Sequence, residues 1–168
     1  MGLIGARVTL AQEIFRPGPI GVLSRSGGNT TTTCYFLTKE GIGRSTAAGV
    51  WGDAVVGSRW ADLLRLFKAD PGTKMVVGFG KIGTTAEEDA ADFVEKGGFT
   101  KVLGVYIAGR SALERVRVGH AGAMITMGEG IVQRKIRARR EAGAIGAEHF
   151  ADISKMAKDV WLKRRVKE

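Results

Sequence analysis

The stretch Ile20-Gly21-Val22-Leu23-Ser24-Arg25-Ser26-Gly27-Gly28-Asn29-Thr30 contains the clearest fold signal in this sequence. Ile20 to Ser24 are apolar or small, which predicts a buried strand. The pair Gly27-Gly28 follows at once and leads into a helical stretch. A strand, a glycine turn and a helix in this order form the first half of a βα unit, which is the repeating element of parallel sheets.

The rest of the chain repeats this alternation of short β-branched runs and longer helical patterns. Further candidate strands are Ser45 to Trp51, Lys74 to Phe79, Lys101 to Ile107 and a weak one from Ala144 to Glu148. The alternation predicts the α/β class, with a flavodoxin-like, open parallel sheet of about five strands and helices on both faces.

Three helices have recognisable patterns. Residues at helical spacing predict an amphipathic helix, and these are Trp60, Leu63, Leu64 and Phe67. Thr85-Ala86-Glu87-Glu88 fits a capping box, and the helix that it opens should stop at Gly97-Gly98. The last helix should bury one face, made of Ile153, Met156, Val160 and Trp161.

Length and composition predict one domain in a reducing compartment. The 168 residues are 44% hydrophobic, enough for one core. We expect residues 1–16 to be a lead-in segment and residues 17–168 to form the domain. The single cysteine, Cys34, excludes an internal disulfide and a CxxC zinc site, and we expect no metal ligands. The sequence shows no secretory leader pattern and no apolar run of about 20 residues. We therefore expect a soluble protein of the cytoplasm or the mitochondrial matrix.

The chain is strongly basic, with 26 Lys and Arg against 17 Asp and Glu, a net charge of +9. This charge favours polyanionic partners, which include both nucleotides and nucleic acid. The basic residues concentrate in the carboxy-terminal third, in Arg134-Lys135, Arg139-Arg140 and Lys163-Arg164-Arg165. Nucleic acid is the less favoured partner, because the chain has only two Tyr and no aromatic RNA-binding signature.

Two loops are candidate sites for phosphate. In the first, Gly27 and Gly28 let backbone amides at a helix start point at one spot, and Ser26 and Thr30 offer hydroxyl donors. An ordinary βα turn is the alternative, because the full dinucleotide and P-loop patterns are both absent. The second is Gly119-His120-Ala121-Gly122-Ala123, where small neighbours allow a phosphate to approach the histidine ring.

Histidine is a natural phosphoryl carrier, because its neutral ring nitrogen is nucleophilic near neutral pH. A lone histidine is more often a structural residue, and this alternative stays open for His120 on local grounds.

In their order and spacing, these segments resemble the α subunit of succinyl-CoA synthetase and its relatives, ATP-citrate lyase and the NDP-forming acyl-CoA synthetases. The resemblance extends from about residue 16 to residue 161. The matching segments are Arg16 to Gly28, Gly52-Asp53 with Gly57-Ser58, Gly80-Lys81-Ile82-Gly83 with Ala86-Glu87-Glu88, Tyr106 to Gly109, Gly119 to Ala123, and Ala151-Asp152-Ile153.

The resemblance implies an acid–thiol ligase activity with a phosphohistidine intermediate. His120 would take phosphate from ATP or GTP and pass it to a carboxylate for CoA thioester formation, a tricarboxylic acid cycle reaction in succinyl-CoA synthetase. Ser26, Gly27 and Gly28 would bind the phosphate. The resemblance further implies that CoA and the Mg nucleotide bind mainly to partners, namely an ATP-grasp β-like subunit and a separate CoA-binding domain or subunit.

Three departures from the family pattern leave the activity open. We expect the CoA-binding Rossmann domain of the family to be absent before residue 17, Lys81 stands where the family has a glutamate near the histidine, and Thr32 stands where a glutamate is usual. An active ligase subunit is therefore one interpretation. A catalytically impaired scaffold subunit in a larger, RNA-containing assembly is the second, and a fragment of a longer α subunit is the third.

Overall fold

A computed structural model of the chain describes residues 14–50, 56–83, 85–109 and 132–165. Its strands are β1 (Pro17–Ser24), β2 (Arg44–Gly49), β3 (Met75–Lys81), β4 (Val102–Ala108) and β5 (Ile145–Gly146). Its principal helices are α1 (Gly27–Lys39), α2 (Trp60–Ala69), α3 (Ala86–Glu95), α4 (Val132–Glu141) and α5 (Asp152–Arg165). The strands form one parallel sheet in the order β2-β1-β3-β4-β5. This order confirms the predicted flavodoxin-like fold class.

Helices cover both faces of the sheet, and β3 shows this most directly. Val77 packs in a core with Cys34 of α1 and Ile153 of α5. Its neighbour Val76 points to the other face, where it packs in a core with Trp60 of α2. Because successive side chains of a strand point to opposite faces, a strand buried on both faces is continuously apolar.

The predicted amphipathic helix is confirmed as α2, which buries Trp60, Leu64 and Phe67. The stop of α3 is also confirmed, since Gly97 has a φ of +74°, a conformation that favours glycine. The capping box at Thr85 was wrong. The Thr85 side chain accepts no capping hydrogen bond, and Glu88 instead contacts Lys135 of α4.

The strand bounds differ from the sequence prediction by one to three residues, and the largest difference is at the start of β1. β1 begins at Pro17, three residues before Ile20, and both of these residues pair with Arg44 across a register shift. The backbones of Gly18 and Gly43 are close enough there that a Cβ on Gly18 would lie 2.4 Å from the Gly43 Cα. An irregular pairing of this kind tolerates proline at a strand start. The predicted end of the second strand, Trp51, lies outside the described residues.

Candidate functional site

The carboxyl ends of β1 and β3 meet in the middle of the sheet. The chain leaves β1 toward β2 on one side and returns across β1 to β3 on the other, so the strand order reverses between β1 and β3. Ligands of open parallel sheets bind at this kind of position. The turn Ser26–Gly28 follows β1, and the turn 82–83 follows β3.

Ser26 caps α1, with extended backbone angles and a hydroxyl oxygen that accepts from the Asn29 amide at 3.4 Å and from Asn29 Nδ2 at 3.1 Å. Within the described part of the chain, no hydrogen bond uses the amides of Gly27 and Gly28 or the hydroxyl hydrogen of Ser26. Both glycines are exposed, and a Cβ on Gly28 would meet nothing within 4 Å. The first turn of α1 contains no acidic residue. This helix end therefore presents several donors to one open space, which suits an anion.

The threonines after this turn are held by the helix itself. Thr30 and Thr33 are buried, and their hydroxyls donate to the carbonyls of Ser26 and Asn29, four residues earlier, at 2.7 Å. Thr32 donates likewise to the Gly28 carbonyl at 3.1 Å. The expectation that Thr30 offers a donor to a ligand was wrong, because its hydrogen is already used inside the helix.

Arg25, between β1 and the cap, joins the two turns. Its side chain is 2% exposed and donates to the carbonyls of Lys81 at 3.1 Å and Gly83 at 2.7 Å, and to both carboxylate oxygens of Glu87 at 3.3 Å. Its backbone amide also donates to the Phe79 carbonyl at 3.0 Å. Arg25 therefore fastens the residue before the α1 cap to the end of β3.

Glu87 of α3 is the acceptor at the centre of this arrangement. Its Oε1 accepts from the Lys81 amide at 2.9 Å, and its Oε2 accepts from Lys135 Nζ of α4 at 2.6 Å. Lys135 Nζ also donates to Glu88 at 2.7 Å. We call these four residues, Arg25, Glu87, Glu88 and Lys135, the Glu87 network. Gly80 leaves room for it, since a Cβ there would lie 2.8 Å from Glu87 Oε1.

The structure joins some of the sequence-predicted site residues and not others. Lys81, the last residue of β3, is 8% exposed and has both its backbone amide and its carbonyl in contact with the Glu87 network. Ser26, Gly27 and Gly28 adjoin the same network through Arg25. Thr32 lies in the second turn of α1, where its hydroxyl contacts the Gly28 carbonyl. His120 lies outside the described residues.

No sequence pattern predicts a site role for the members of the Glu87 network. Arg25 stands between the first strand and its glycine turn, Glu87 and Glu88 fit a capping pattern, and Lys135 belongs to a basic cluster. The bonds of the network join residues 47 to 62 positions apart in the chain. A single sequence carries no signal for such pairings.

The described residues contain no group of three or more His, Cys, Asp or Glu side chains that could hold a metal ion. None of the described helices is long and apolar enough to cross a membrane.

Comparison with known proteins gives a consistent result. The family model described as CoA-ligase matches residues 23–145. The chain is 43% identical over 151 residues to the α 1 subunit of the ADP-forming succinate–CoA ligase of Archaeoglobus fulgidus, covering 90% of this chain and 51% of that subunit. It is 40% identical over 153 residues to an ADP-forming sulfoacetate-CoA ligase subunit of an Acholeplasma species, covering 91% of this chain and 52% of that subunit.

A solved structure supports the same relationship. The ATP citrate lyase of Methanosaeta concilii, solved with (3S)-citryl-CoA, superposes with a TM-score of 0.81 and 26% sequence identity. The match covers 94% of this chain and 26% of the lyase chain.

The strand order and the helices on both faces define an α/β protein with an open parallel sheet whose strand order reverses between β1 and β3. Within that class, the chain belongs to the CoA-ligase family. The resemblance to the succinyl-CoA synthetase α subunit is confirmed by the relatives above. The chain spans about half the length of the curated relatives it matches, 52% and 51% for the two described here.

Proposed function

We propose that this chain is the phosphoryl-carrying domain of an acid–thiol ligase, with His120 as the residue that is phosphorylated. The observation that carries the proposal is the amino terminus of α1, where the amides of Gly27 and Gly28 and the Ser26 hydroxyl converge on open space. Donors in this arrangement stabilise a phosphoryl group together with the positive end of the helix dipole.

The proposed reaction has three transfers. A ring nitrogen of His120 attacks the γ-phosphorus of a nucleoside triphosphate, and the nucleoside diphosphate leaves. A substrate carboxylate oxygen then attacks the phosphorus, so that the histidine leaves and an acyl phosphate forms. Finally, the thiol of CoA attacks the acyl carbon and inorganic phosphate leaves. Mg would neutralise charge on the nucleotide phosphates at the first step.

The donor set of α1 fits a phosphoryl group in each of the first two transfers. Fixed backbone donors stabilise developing negative charge without reorganising. Lys81 would add positive charge near the phosphate in place of the glutamate of the family pattern. Thr32, bonded to the helix backbone, would contribute no charge.

We further propose the arrangement of partners that the family implies. Residues 17–168 would act as one domain, with the nucleotide on an ATP-grasp β-like subunit and CoA on a separate domain or subunit. Relatives named as α subunits of ADP-forming succinate–CoA ligase support a β subunit as partner. Because those relatives are named as ADP-forming, the nucleotide would be ATP. The acid substrate would be identified by testing a series of carboxylates.

The test is phosphorylation of the chain in its complex. The chain would be purified with its ATP-grasp partner and incubated with ATP labelled at the γ-phosphate. We expect acid-labile, alkali-stable label in wild type and none in His120→Ala. His149→Ala is the matched control and should label like wild type. Equal labelling of wild type and His120→Ala, or no label in either, would exclude the proposed role.

A second candidate function is a scaffold subunit that has lost turnover, in an assembly that includes RNA. The exchange of an acid for Lys81 and the net charge of +9 favour it. This candidate predicts that the chain sediments with a large particle, remains unlabelled and binds RNA with an affinity that falls steeply with salt. Labelling at His120 with no RNA affinity would exclude it.

A further inference from the structure

The carboxylate of Glu87 contacts three different segments of the chain. It contacts Arg25 before α1, the Lys81 amide at the end of β3, and Lys135 in α4. Its side chain is 4% exposed, so all of these contacts are made away from water. The bond from Lys135 at 2.6 Å has the short distance of a charge-assisted hydrogen bond, whereas the two contacts from Arg25 are longer, at 3.3 Å.

Through Arg25, the contacts of Glu87 also affect the amino terminus of α1. Arg25 directly precedes Ser26, and its guanidinium is held against the β3 turn by two carbonyls and by Glu87. The direction in which the Gly27 and Gly28 amides point therefore depends on where Arg25 is fixed. Without Glu87, the guanidinium would keep its carbonyl acceptors but lose its charged partner.

The same β3 turn also contacts the residue that follows β4, since Gly109 packs on Ile82 so closely that a Cβ would lie 2.6 Å from Ile82 Cγ2. Glu87 itself, on α3, holds α4 through its contact with Lys135.

We infer that Glu87 is a positioning residue for the anion site at the amino terminus of α1, acting through Arg25. The inference rests on the proposed function in assigning a phosphoryl group to that site. The role is indirect, because Glu87 contacts Arg25, which directly precedes the Ser26 cap.

The experiment is a titration of the full chain with inorganic phosphate, followed through the amide resonances of Gly27 and Gly28. In wild type, we expect saturable shifts of both resonances. Glu87→Gln keeps the shape of the side chain but removes its charge, and should weaken phosphate binding by about 10- to 100-fold, as the loss of an outer partner does at metal sites. Glu88→Gln is the matched control, because Glu88 contacts Lys135 but not Arg25, and should bind like wild type.

Each outcome decides the inference. Phosphate affinity unchanged in Glu87→Gln, equal losses in both glutamate variants, or no shifts in wild type would overturn it. If Glu87→Gln does not fold, Arg25→Lys replaces it, and wild-type affinity in Arg25→Lys would overturn the inference as well. A Glu87-dependent phosphate site in a chain that is never labelled at His120 would support the inference and exclude the proposed reaction, so the two failures are distinguishable.

Discussion

The guanidinium of Arg25 and the carboxylate of Glu87 lie 3.3 Å apart, with only 2% and 4% of their side chains exposed. Taking such groups out of water costs several kcal/mol each, and the cost is offset only while each keeps its partners. The additional bonds from Arg25 to two carbonyls and from Lys135 to Glu87 satisfy that condition. Removing one member should therefore cost more than its own contact contributes.

The first prediction follows from that asymmetry. Arg25→Met should lower the free energy of unfolding by about 3 to 5 kcal/mol, because it breaks a buried ion pair. The matched control is Lys96→Met, which breaks an ion pair with Asp92 whose side chains are 78% and 68% exposed. That change should cost about 1 kcal/mol or less. Urea unfolding followed by circular dichroism measures both, and equal losses would contradict the prediction.

Much of the fold was predictable from the sequence because its signals are local. The run from Ile20 to Ser24 is buried on both faces, so its apolar character alone identifies a central strand. Gly97 ends α3 for a reason confined to one residue, its positive φ. The start of β1 was missed because the register shift at Arg44 depends on a neighbouring strand.

The candidate site was predictable only where its chemistry is local. Ser26 and the two glycines form a helix end that any strand–turn–helix pattern would suggest. Arg25, Glu87 and Lys135 meet only after the sheet has formed, and their charges looked like those of surface residues. Glu88 was misassigned because it satisfies a capping pattern, but the ammonium group of Lys135 competes for it more strongly.

The second prediction separates stability from anion binding at Gly28. Gly28→Asp places a carboxylate in the first turn of α1, which has no acid, and a Cβ there meets nothing within 4 Å. Interaction with the helix dipole should stabilise the fold by about 0.3 to 1 kcal/mol. The same carboxylate should repel phosphate and abolish labelling of His120.

Gly28→Asn is the matched control, since it has the same shape without the charge. It should retain more phosphate binding than Gly28→Asp, as measured by the amide shifts of Gly27. A thermal melt gives the stability of both variants. Undiminished phosphate binding in Gly28→Asp would mean that the anion does not approach this helix end.

The third prediction concerns acid stability at the other end of the sheet. The pKa of Asp70 lies below its ordinary value of 3.8, mainly because the Thr73 hydroxyl donates to its carboxylate at 2.6 Å, with help from the Gly72 amide at 2.9 Å. The folded state therefore favours the ionised form. The contribution of the Asp70 carboxylate to the free energy of unfolding is fully present above the pKa of the unfolded state. It is lost as the pH falls from that value through the pKa of the folded state.

Asp70→Asn should accordingly destabilise the chain at neutral pH, and the difference from wild type should shrink as pH falls below 3.8. Urea midpoints measured across this range test the expectation. Thr73→Val removes the main donor to the Asp70 carboxylate and should reduce the same pH dependence. A constant difference between wild type and Asp70→Asn at every pH would refute the assignment.

The last prediction uses Cys34 as a reporter of unfolding. Its side chain is fully buried in the core beneath α1, and burial raises the pKa of the thiol from 9.0 to about 12, against a smaller opposing effect of the Arg44 charge. Only the thiolate reacts with disulfide reagents, so the native thiol should be inert. Labelling should follow the unfolded fraction in urea, coinciding with the circular dichroism transition. Rapid labelling in native buffer would mean that α1 opens without global unfolding.

Burial of Cys34 also makes stability depend on pH. The stabilisation from keeping the thiol neutral is complete below pH 9.0 and is lost as the pH rises toward 12, a dependence that Cys34→Ala should remove.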